Sequence, residues 1–281
     1  MAVAVGSRGV TKAGVTFTVA TGLRRDHDEF WEWYASPEWE PETVCVYEAF
    51  ARPGARIVDV GAWIGPTVLL AAALGAEVLA VEPDPVAATE LKRNLALNPE
   101  LAARVHVVQV AVDAHDGRAM LVSPSPAGGD SLSHLASVRS ETGMAHEVAT
   151  VSLVSLLNSE PPVDPDLIKI DAEAAEYAVV PSLRDHIAHA RPSLFVATHP
   201  NLVYDRRRRV RSGLRVLAAN QRLLRAVAPY RHHYAWRDGR LTDVRGENIR
   251  RMRVPLPIRS SFLIGGWLFT DRTLPPSAKG S

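Results

Sequence analysis

The sequence predicts a doubly wound α/β fold, in which helices cover both faces of a largely parallel β-sheet. The first observation is that short β-branched runs alternate with helix-like segments between residues 56 and 200, at the spacing of repeated strand–helix units. The second is that glycine or proline stands at the junctions, where the chain has to change direction. With 47% hydrophobic and 22% charged residues, the composition is typical of a globular protein and excludes a wholly disordered chain.

The cysteine content and the distribution of apolar residues indicate the cellular compartment in which the protein is expected. A single cysteine, Cys45, among 281 residues excludes an internal disulfide framework and a cluster of thiolate metal ligands, and it favours a reducing compartment. Residues 1–20 lack the continuous apolar core of a signal peptide. The most apolar stretch, residues 57–81, is interrupted by charged residues, glycines and a proline. We therefore expect a cytoplasmic protein without a membrane span.

Residues 1–52 are predicted to form a hairpin followed by a helical cover. Alternating β-branched and polar residues predict the hairpin within residues 2–20. Residues 26–39 carry five aromatic side chains, all between positions 30 and 39. This density indicates either a packed cover or a lid that walls a ligand pocket. Pro41 then opens a helix that runs to Phe50, because proline suits the first helical turn.

Residues 53–272 are predicted to form the main domain, and residues 273–281 a flexible tail. The predicted strands have apolar runs typical of parallel strands buried on both faces, and they cover residues 56–60, 77–81, 105–112, 166–171 and 193–197. Helices are predicted over residues 66–74, 85–98, 172–184 and 211–228, the first closed by Gly75 and the second capped by Asp84. Residues 123–140 are predicted to be a loop, and strand-like segments recur near residue 235 and over residues 262–269.

The turn after the first main-domain strand carries the pattern of a nucleoside-binding site. Gly61 and Gly65 permit a tight turn and the close approach of a ligand to a helix N-terminus. Asp59 stands where a dinucleotide fingerprint has its first glycine, and an acid there suits a cationic amine better than a pyrophosphate. Glu82 ends the next strand, where its carboxylate can accept two hydrogen bonds from a ribose diol. A nucleoside with a cationic amino-acid tail is S-adenosylmethionine, so the sequence predicts this cofactor and disfavours a nicotinamide dehydrogenase.

Four segments resemble the FkbM-type class I methyltransferases: IVDVGAWIG at residues 57–65, AVEP at 80–83, LKRNLALN at 91–98 and DLIKIDAE at 166–173. The resemblance covers roughly residues 55–200. It implies a seven-stranded, Rossmann-like sheet and methyl transfer from S-adenosylmethionine, commonly to a hydroxyl of a sugar, a polyketide or another natural product. It also implies that Ala111, at the end of the third strand, lies along the adenine. Two positions depart from the family, since Ala174 replaces a glycine and Ala197–Thr198 replaces an acid late in the fifth strand.

Polar side chains at the ends of the fourth and fifth strands are the catalytic candidates, because open α/β sheets bind ligands at that edge. They are Asp171, Glu173 and His199. An alcohol sheds its proton as the new bond forms, and we favour His199 as the base because imidazole titrates near neutral pH. The alternatives are Asp171 and Glu173, which also suit structural roles at the start of a helix. Period-two alternation places Lys169 on the same face as Asp171, so Lys169 can pair with Asp171 or with a neighbouring acid.

No metal site is predicted. His232 and His233 are adjacent in the sequence, so their rings cannot easily face one ion from a helix. The pair Asp171 and Glu173 leaves an arrangement for Mg²⁺ open, because carboxylate oxygens are the ligands that this ion prefers.

Charge is distributed unevenly along the chain. Residues 201–260 hold 16 arginines and four acidic residues, a net charge of +12, whereas the rest of the chain carries −11. This indicates either an anionic partner or a general preference for arginine in this sequence. The arginine run at residues 206–209 is either a solvated face or a site for a phosphate-bearing or carrier-linked acceptor.

We predict a methyltransferase that acts on a small-molecule acceptor. The alternatives are an RNA methyltransferase, which the arginine-rich segment allows, and a non-catalytic adenosyl-binding partner protein. A nucleic-acid substrate is disfavoured, because basic and aromatic residues do not interleave in the pattern of an RNA-binding sheet. The sequence predicts no particular oligomeric state.

Overall fold

The computed structural model describes residues 6–125, 127–136, 144–159, 161–203, 209–245 and 265–274. Near the N-terminus, β1 (Gly6–Lys12) and β2 (Val15–Thr21) form the predicted antiparallel hairpin. Helices α1 (Arg25–Tyr34) and α2 (Pro41–Phe50) follow. Pro41 lies in the first turn of α2, as its missing N–H predicts.

A mixed sheet of eight strands forms the centre of the described residues. In chain order, the remaining strands are β3 (Arg56–Val60), β4 (Glu77–Val81), β5 (Val105–Val108), β6 (Ala111–Asp113), β7 (Gly117–Ser123), β8 (His134–Ala136), β9 (Met144–Ser152), β10 (Leu167–Ile170), β11 (Ser193–Thr198), β12 (His232–Arg237), β13 (Arg240–Asp243) and β14 (Gly265–Thr270). The order across the central sheet is β13-β12-β14-β11-β10-β3-β4-β5, with β14 antiparallel to both of its neighbours. Strands β11, β10, β3, β4 and β5 are parallel. This order confirms the predicted seven-stranded methyltransferase sheet, with β13 added at one edge.

Helices pack on both faces of this sheet, as a doubly wound fold requires. After α2 they are α3 (Pro66–Ala73), α4 (Pro85–Ala96), α5 (Pro99–Ala102), α6 (Leu153–Leu157), α7 (Glu176–Ser182), α8 (Arg184–His189), α9 (Pro200–Val203) and α10 (Arg209–Val227). Asp84 caps α4 as predicted, since its carboxylate accepts hydrogen bonds from the N–H groups of Val86 and Ala87. Among the described residues, no helix combines the length and the apolar character needed to cross a bilayer.

Side chains of alternate residues along the strands divide the core into two layers. Leu167 of β10 packs with Trp31 and Tyr34 of the N-terminal cover, whereas Ile168 packs with Val180 of α7 and Leu223 of α10. This alternation follows from the period of two in a β-strand. The N-terminal hairpin and helices therefore cover one face of the sheet, and α7 and α10 cover the other.

The predicted third strand, residues 105–112, is wrong in one respect, because it divides into two strands. Its first half is β5 at the edge of the central sheet. The second half, β6, leaves that edge and pairs in parallel with β9. A second sheet of order β6-β9-β7-β8 results, which the sequence did not predict. Residues 134–136, which lie within the predicted loop of residues 123–140, form the short strand β8 of this sheet.

The helix predicted over residues 172–184 begins later, at Glu176. Residues 172–175 form a turn instead, with φ of 43° at Glu173 and 81° at Ala174. An α-helix needs negative φ, so these two residues delay its start. Asp171 consequently does not cap the helix. Residues 206–208 of the arginine run, residues 262–264 of a predicted strand and residues 275–281 of the predicted tail lie outside the described residues.

Candidate active site

A cavity of about 240 Å³ opens where β3, β4, β10 and β11 end. Glu82 follows β4, and Asp171 and His199 follow β10 and β11. Since β3 lies between β4 and β10 in the sheet, Gly61 at its end lies between the two groups. Six of the predicted site residues line this cavity: Gly61, Glu82, Ala111, Asp171, Glu173 and His199.

Asp59 lies beneath the cavity, although the sequence predicted that it contacts the cofactor. Its side chain is fully buried and does not line the cavity. The Tyr47 hydroxyl donates a hydrogen bond of 2.9 Å to Oδ2, and the Lys169 ammonium donates one of 3.0 Å to Oδ1. Because its side chain is buried away from the cavity, Asp59 holds Lys169 and is not positioned to receive a ligand amine.

Lys169 connects Asp59 to the cavity surface. Its Nζ also donates to the Gly61 carbonyl at 3.1 Å and lies 3.5 Å from Oδ2 of Asp171. Burial alone would lower the pKa of Lys169, but Asp59 and Asp171 outweigh that effect and raise the pKa above its ordinary value. The predicted pairing of Lys169 with Asp171 is therefore confirmed.

Gly61 and Gly65 are required by the packing of the chain against itself. Both have positive φ, 80° and 99°. A Cβ on Gly61 would lie 1.8 Å from the Asp171 carbonyl oxygen, and one on Gly65 would lie 2.5 Å from Leu91 of α4. A side chain at Gly61 would therefore disturb the fold itself and not only the approach of a ligand. Gly61 lets β3 approach the end of β10.

Glu82 presents a buried carboxylate to the cavity. Its side chain receives a hydrogen bond of 2.7 Å from the Trp63 N–H at Oε2 and one of 2.8 Å from the Asp84 N–H at Oε1. Burial raises the pKa of Glu82 to about 7, although these N–H groups act in the opposite direction. Each oxygen keeps a second acceptor position, as a pair of ribose hydroxyls would need.

An apolar surface adjoins Glu82. It is formed by Val81 and Pro83 after β4, by Val110 and Ala111 around the start of β6, and by Leu121 of β7. Ala111 thus lines the cavity as predicted, but it does so from the second sheet. A flat aromatic base is the kind of group that such a surface suits.

Residues 127–133 fold over this side of the cavity. The Gly129 N–H donates a hydrogen bond of 2.8 Å to Asp84 Oδ2, and the Trp63 indole donates one of 2.9 Å to the Gly129 carbonyl. His27, paired with Glu90 at 2.8 Å, lies 3.1 Å from the same carbonyl oxygen. The loop is therefore tied to α1, α4 and the turn after β3.

Asp171, Glu173 and His199 converge on one point of the cavity wall, and we call these three residues the His199 cluster. His199 Nε2 lies 3.6 Å from Oδ1 of Asp171 and 3.5 Å from Oε1 of Glu173. The three side chains are partly exposed, by 23% for His199, 28% for Asp171 and 12% for Glu173. All the candidate catalytic residues predicted from the sequence are thus brought together.

The electrostatics of the His199 cluster differ from the expectation for a free histidine. Burial alone would lower the pKa of His199, but Glu176, Asp171 and Glu173 outweigh burial and raise it to about 9. Burial raises the pKa of Glu173 to about 7, while His199 opposes the shift. The near-neutral pKa expected for His199 is therefore wrong, because the sequence did not reveal how many carboxylates surround the ring.

Glu176 lies behind His199 and was missed by the sequence analysis. It is fully buried, and its Oε1 accepts a hydrogen bond of 2.7 Å from the His199 backbone N–H. The same oxygen lies 3.4 Å from Nδ1 of the ring. Glu176 follows the turn of residues 172–175 directly, so the positive φ of Glu173 and Ala174 brings both glutamates to the histidine. A glycine adopts φ near 81° without strain, so Ala174 holds a conformation that favours glycine.

Aromatic side chains of the N-terminal cover form another part of the wall. Phe30, Trp33 and Trp39 line the cavity, while Trp31 and Tyr34 face the core. The segment therefore acts both as a packed cover and as a wall. Glu40, which follows it, also lines the cavity, and burial raises its pKa to about 7. No sequence pattern marked Glu40, because it reaches the cavity only through the packing of α1 and α2.

The remaining histidine candidates do not form a metal site among the described residues. His232 pairs with Asp243 at 2.7 Å, whereas the His233 ring lies 3.2 Å from the Val227 carbonyl oxygen. The two adjacent rings on β12 thus have different partners.

Comparison with solved structures finds similar chains of low sequence identity. One is a methyltransferase FkbM from Methylobacillus flagellatus KT, with 15% identity and a TM-score of 0.45 over 87% of this chain and 59% of that chain. Another is the C-terminal domain of precorrin-6Y C5,15-methyltransferase from Rhodobacter capsulatus, with 13% identity and a TM-score of 0.40 over 82% of this chain and 86% of that one. A third is a fibrillarin from Aeropyrum pernix in complex with natively bound S-adenosyl-L-methionine, with 9% identity and a TM-score of 0.42 over 94% and 82% of the two chains.

The family comparison is more specific. A comparison with curated proteins finds no match. The family model described as the methyltransferase FkbM domain matches residues 59–224, more than half of the chain. This match includes the turn after β3, Glu82 and the entire His199 cluster. The chain belongs to the FkbM methyltransferase family.

Proposed function

We propose that this protein transfers the methyl group of S-adenosylmethionine to a hydroxyl of a small metabolite, such as a sugar, a polyketide or another natural product. One observation carries the proposal: a single cavity is lined both by Glu82, which suits a ribose, and by the His199 cluster, which suits a hydroxyl. Direct transfer between two small molecules requires that both be held in one site.

The residues around Glu82 fit S-adenosylmethionine. The carboxylate keeps an acceptor position on each oxygen, and Val81, Pro83 and Ala111 provide an apolar surface for an adenine. When bound, this cofactor supplies an electrophilic methyl group on a positively charged sulfur. Glu82 and its surroundings bind and orient the nucleoside part of the cofactor, and the carboxylates elsewhere in the cavity suit the positive charge.

The acceptor would lie between the aromatic wall and the His199 cluster. Phe30, Trp33 and Trp39 offer flat apolar surfaces for a ring or a polyketide chain. No arginine is found among the described residues that line the cavity.

The His199 cluster would receive the proton that the acceptor hydroxyl loses. As the hydroxyl oxygen forms its bond to the methyl carbon, the bond between that carbon and sulfur breaks and S-adenosylhomocysteine is the leaving group. The O–H bond also breaks, and its proton passes to the carboxylate–imidazole group. Because the three side chains are partly exposed, the proton can then leave to solvent. A positioned proton acceptor typically adds ~10²–10⁴-fold to such a rate.

A transfer assay tests this function. The purified chain is supplied with isotopically labelled S-adenosylmethionine and a panel of hydroxyl-bearing sugars and polyketides, and the methylated atom is located by NMR. With a verified acceptor, His199→Ala should lower kcat by ~10²-fold or more while cofactor binding is retained. The variants Asp171→Asn and Glu173→Gln then distinguish the contribution of each carboxylate from that of the His199 imidazole.

Two results would count against the proposal. A label found on nitrogen or carbon would replace O-methylation with another transfer. Normal turnover of His199→Ala would remove this residue from the reaction. His189→Ala is the matched control, because His189 is an exposed histidine at the end of α8 and does not line the cavity.

A further inference from the structure

We propose that the His199 cluster binds a divalent metal ion of the zinc type, with one coordination position left open toward the cavity. This departs from the metal-free expectation of the sequence analysis. The cluster brings one imidazole nitrogen and two carboxylate oxygens, from Asp171, Glu173 and His199, within 4.8 Å of one another.

The distances within the cluster are those of ligands that share an ion. His199 Nε2 lies 3.6 Å from Asp171 Oδ1 and 3.5 Å from Glu173 Oε1, longer than ordinary charge-assisted hydrogen bonds. Two ligand atoms, each ~2.1 Å from a tetrahedrally coordinated ion, lie about 3.4 Å apart. An ion between these atoms would therefore require little movement of the side chains.

Two of the three ligands, His199 and Asp171, have another charged group behind them. Glu176 accepts the backbone N–H of His199 and faces Nδ1, so Nε2 is the nitrogen that points to the carboxylates. Lys169 lies beside Oδ2 of Asp171, which leaves Oδ1 directed to the cluster. A carboxylate behind a ligating histidine is the usual support of protein metal sites, because it fixes the orientation of the ring.

The charge around the cluster also favours a cation. The carboxylates of Asp171, Glu173 and Glu176 surround a single imidazole. The nearby Lys169 is shared between Asp171 and the buried Asp59. Like charges gathered in a partly buried site destabilise one another, and a divalent cation would remove this repulsion.

The ligand set indicates which ion fits. One imidazole with two carboxylates suits Zn²⁺ and neighbouring transition-metal ions better than Mg²⁺, which prefers oxygen ligands. Three protein ligands with a fourth position open are typical of catalytic rather than structural zinc sites. The fourth position would take water or, on the basis of the proposed function, the acceptor oxygen. Binding to the ion would make the proton of that oxygen easier to lose, and the carboxylate oxygens of the cluster that do not bind the ion would remain to accept it.

Titration of the full chain with CoCl₂ tests the site without cofactor or acceptor. Cobalt replaces zinc with similar geometry, and a four-coordinate cobalt ion absorbs visible light far more strongly than a six-coordinate one. We expect a strong visible band that ZnCl₂ abolishes. His199→Gln and Glu173→Gln should lose the band, and Glu176→Gln should weaken cobalt binding by about 10–100-fold.

His232→Gln is the matched control, since His232 and Asp243 form a histidine–carboxylate pair on β12 and β13. Its cobalt spectrum should be that of the unmodified chain, and circular dichroism should show that every variant is folded. The absence of a strong band in the unmodified chain, or an undiminished band in both His199→Gln and Glu173→Gln, would overturn the site. Because the titration contains neither cofactor nor acceptor, a failure of the proposed methyl transfer leaves its result unaffected.

Discussion

The carboxyl group of Glu82 is buried, with 6% of the residue exposed, and it accepts hydrogen bonds from two backbone N–H groups. We expect Glu82→Gln to weaken S-adenosylmethionine binding by about 1.5–3 kcal/mol, the usual contribution of hydrogen bonds to a charged group. Isothermal titration calorimetry gives the affinity. Glu77→Gln, a change to the exposed residue at the other end of β4, is the control and should bind normally. Equal affinities for the two variants would remove Glu82 from the cofactor site.

Cofactor binding should release a proton from Glu82 below neutral pH. Its pKa of about 7 in the protein lies above the ordinary 4.5, and hydroxyl groups that donate to the carboxylate favour its ionised form. Binding therefore lowers this pKa, so the affinity should rise with pH toward 7 and become constant above it. Calorimetry at pH 6 in buffers of different ionisation enthalpy measures the proton release. Glu82→Gln should show less release, and identical release in both proteins would contradict the assignment.

The residue-level predictions from the sequence succeeded where a local pattern determines the position. Glu82, Asp171 and His199 each follow a buried strand, and parallel strands end at one edge of the sheet, so their convergence could be predicted. The pairing of Asp59 with Lys169 could not be predicted, because the two residues lie 110 positions apart along the chain. Glu40 and Glu176 were missed for the same reason, since their contacts depend on how elements pack and on two residues with positive φ.

At the scale of elements, the close approach of β3 to the end of β10 depends on Gly61. Gly61→Ala should destabilise the protein by about 2 kcal/mol or more beyond the cost of positive φ, because its Cβ would overlap the Asp171 carbonyl oxygen. Gly54→Ala is a matched control, since Gly54 has φ of 82° and no atom within 4 Å of the added Cβ. That variant should lose only about 1–2 kcal/mol from backbone strain. Chemical denaturation measures both, and equal losses would show that β10 can move aside.

The elements predicted most accurately are those with continuous apolar runs and clear caps, such as β3, β4 and α4. The second sheet was missed because its strands lack that pattern. β7 and β9 have several exposed or half-buried residues, as an antiparallel pair with one solvated face allows. β6 has only three residues and pairs with a strand almost forty positions later, so no local signal indicates it.

In the molecule as a whole, the central sheet positions Glu82 and the His199 cluster, and the N-terminal cover forms one wall of the cavity. Trp33 lines the cavity and is 53% exposed, so its removal should not affect the fold. We expect Trp33→Ala to weaken acceptor binding by about 0.5–1.5 kcal/mol, the worth of an aromatic contact, with cofactor affinity unchanged. Steady-state kinetics gives the KM of the acceptor. By contrast, Trp31→Ala should lower the free energy of unfolding by about 3–5 kcal/mol, because Trp31 is fully buried. A loss of cofactor affinity in Trp33→Ala would contradict this division.

The aromatic wall has a consequence for how such proteins diversify. Glu82, Ala111 and the His199 cluster belong to the domain built on the central sheet, whereas Phe30, Trp33 and Trp39 come from a separate stretch before its first strand. On the proposed function, substitutions in that stretch can therefore alter which acceptors fit the cavity without changing the residues that bind the cofactor or receive the proton. Chimeras that exchange residues 25–40 between two relatives should therefore carry acceptor preference with the exchanged segment, provided that the inward-facing Trp31 and Tyr34 are kept.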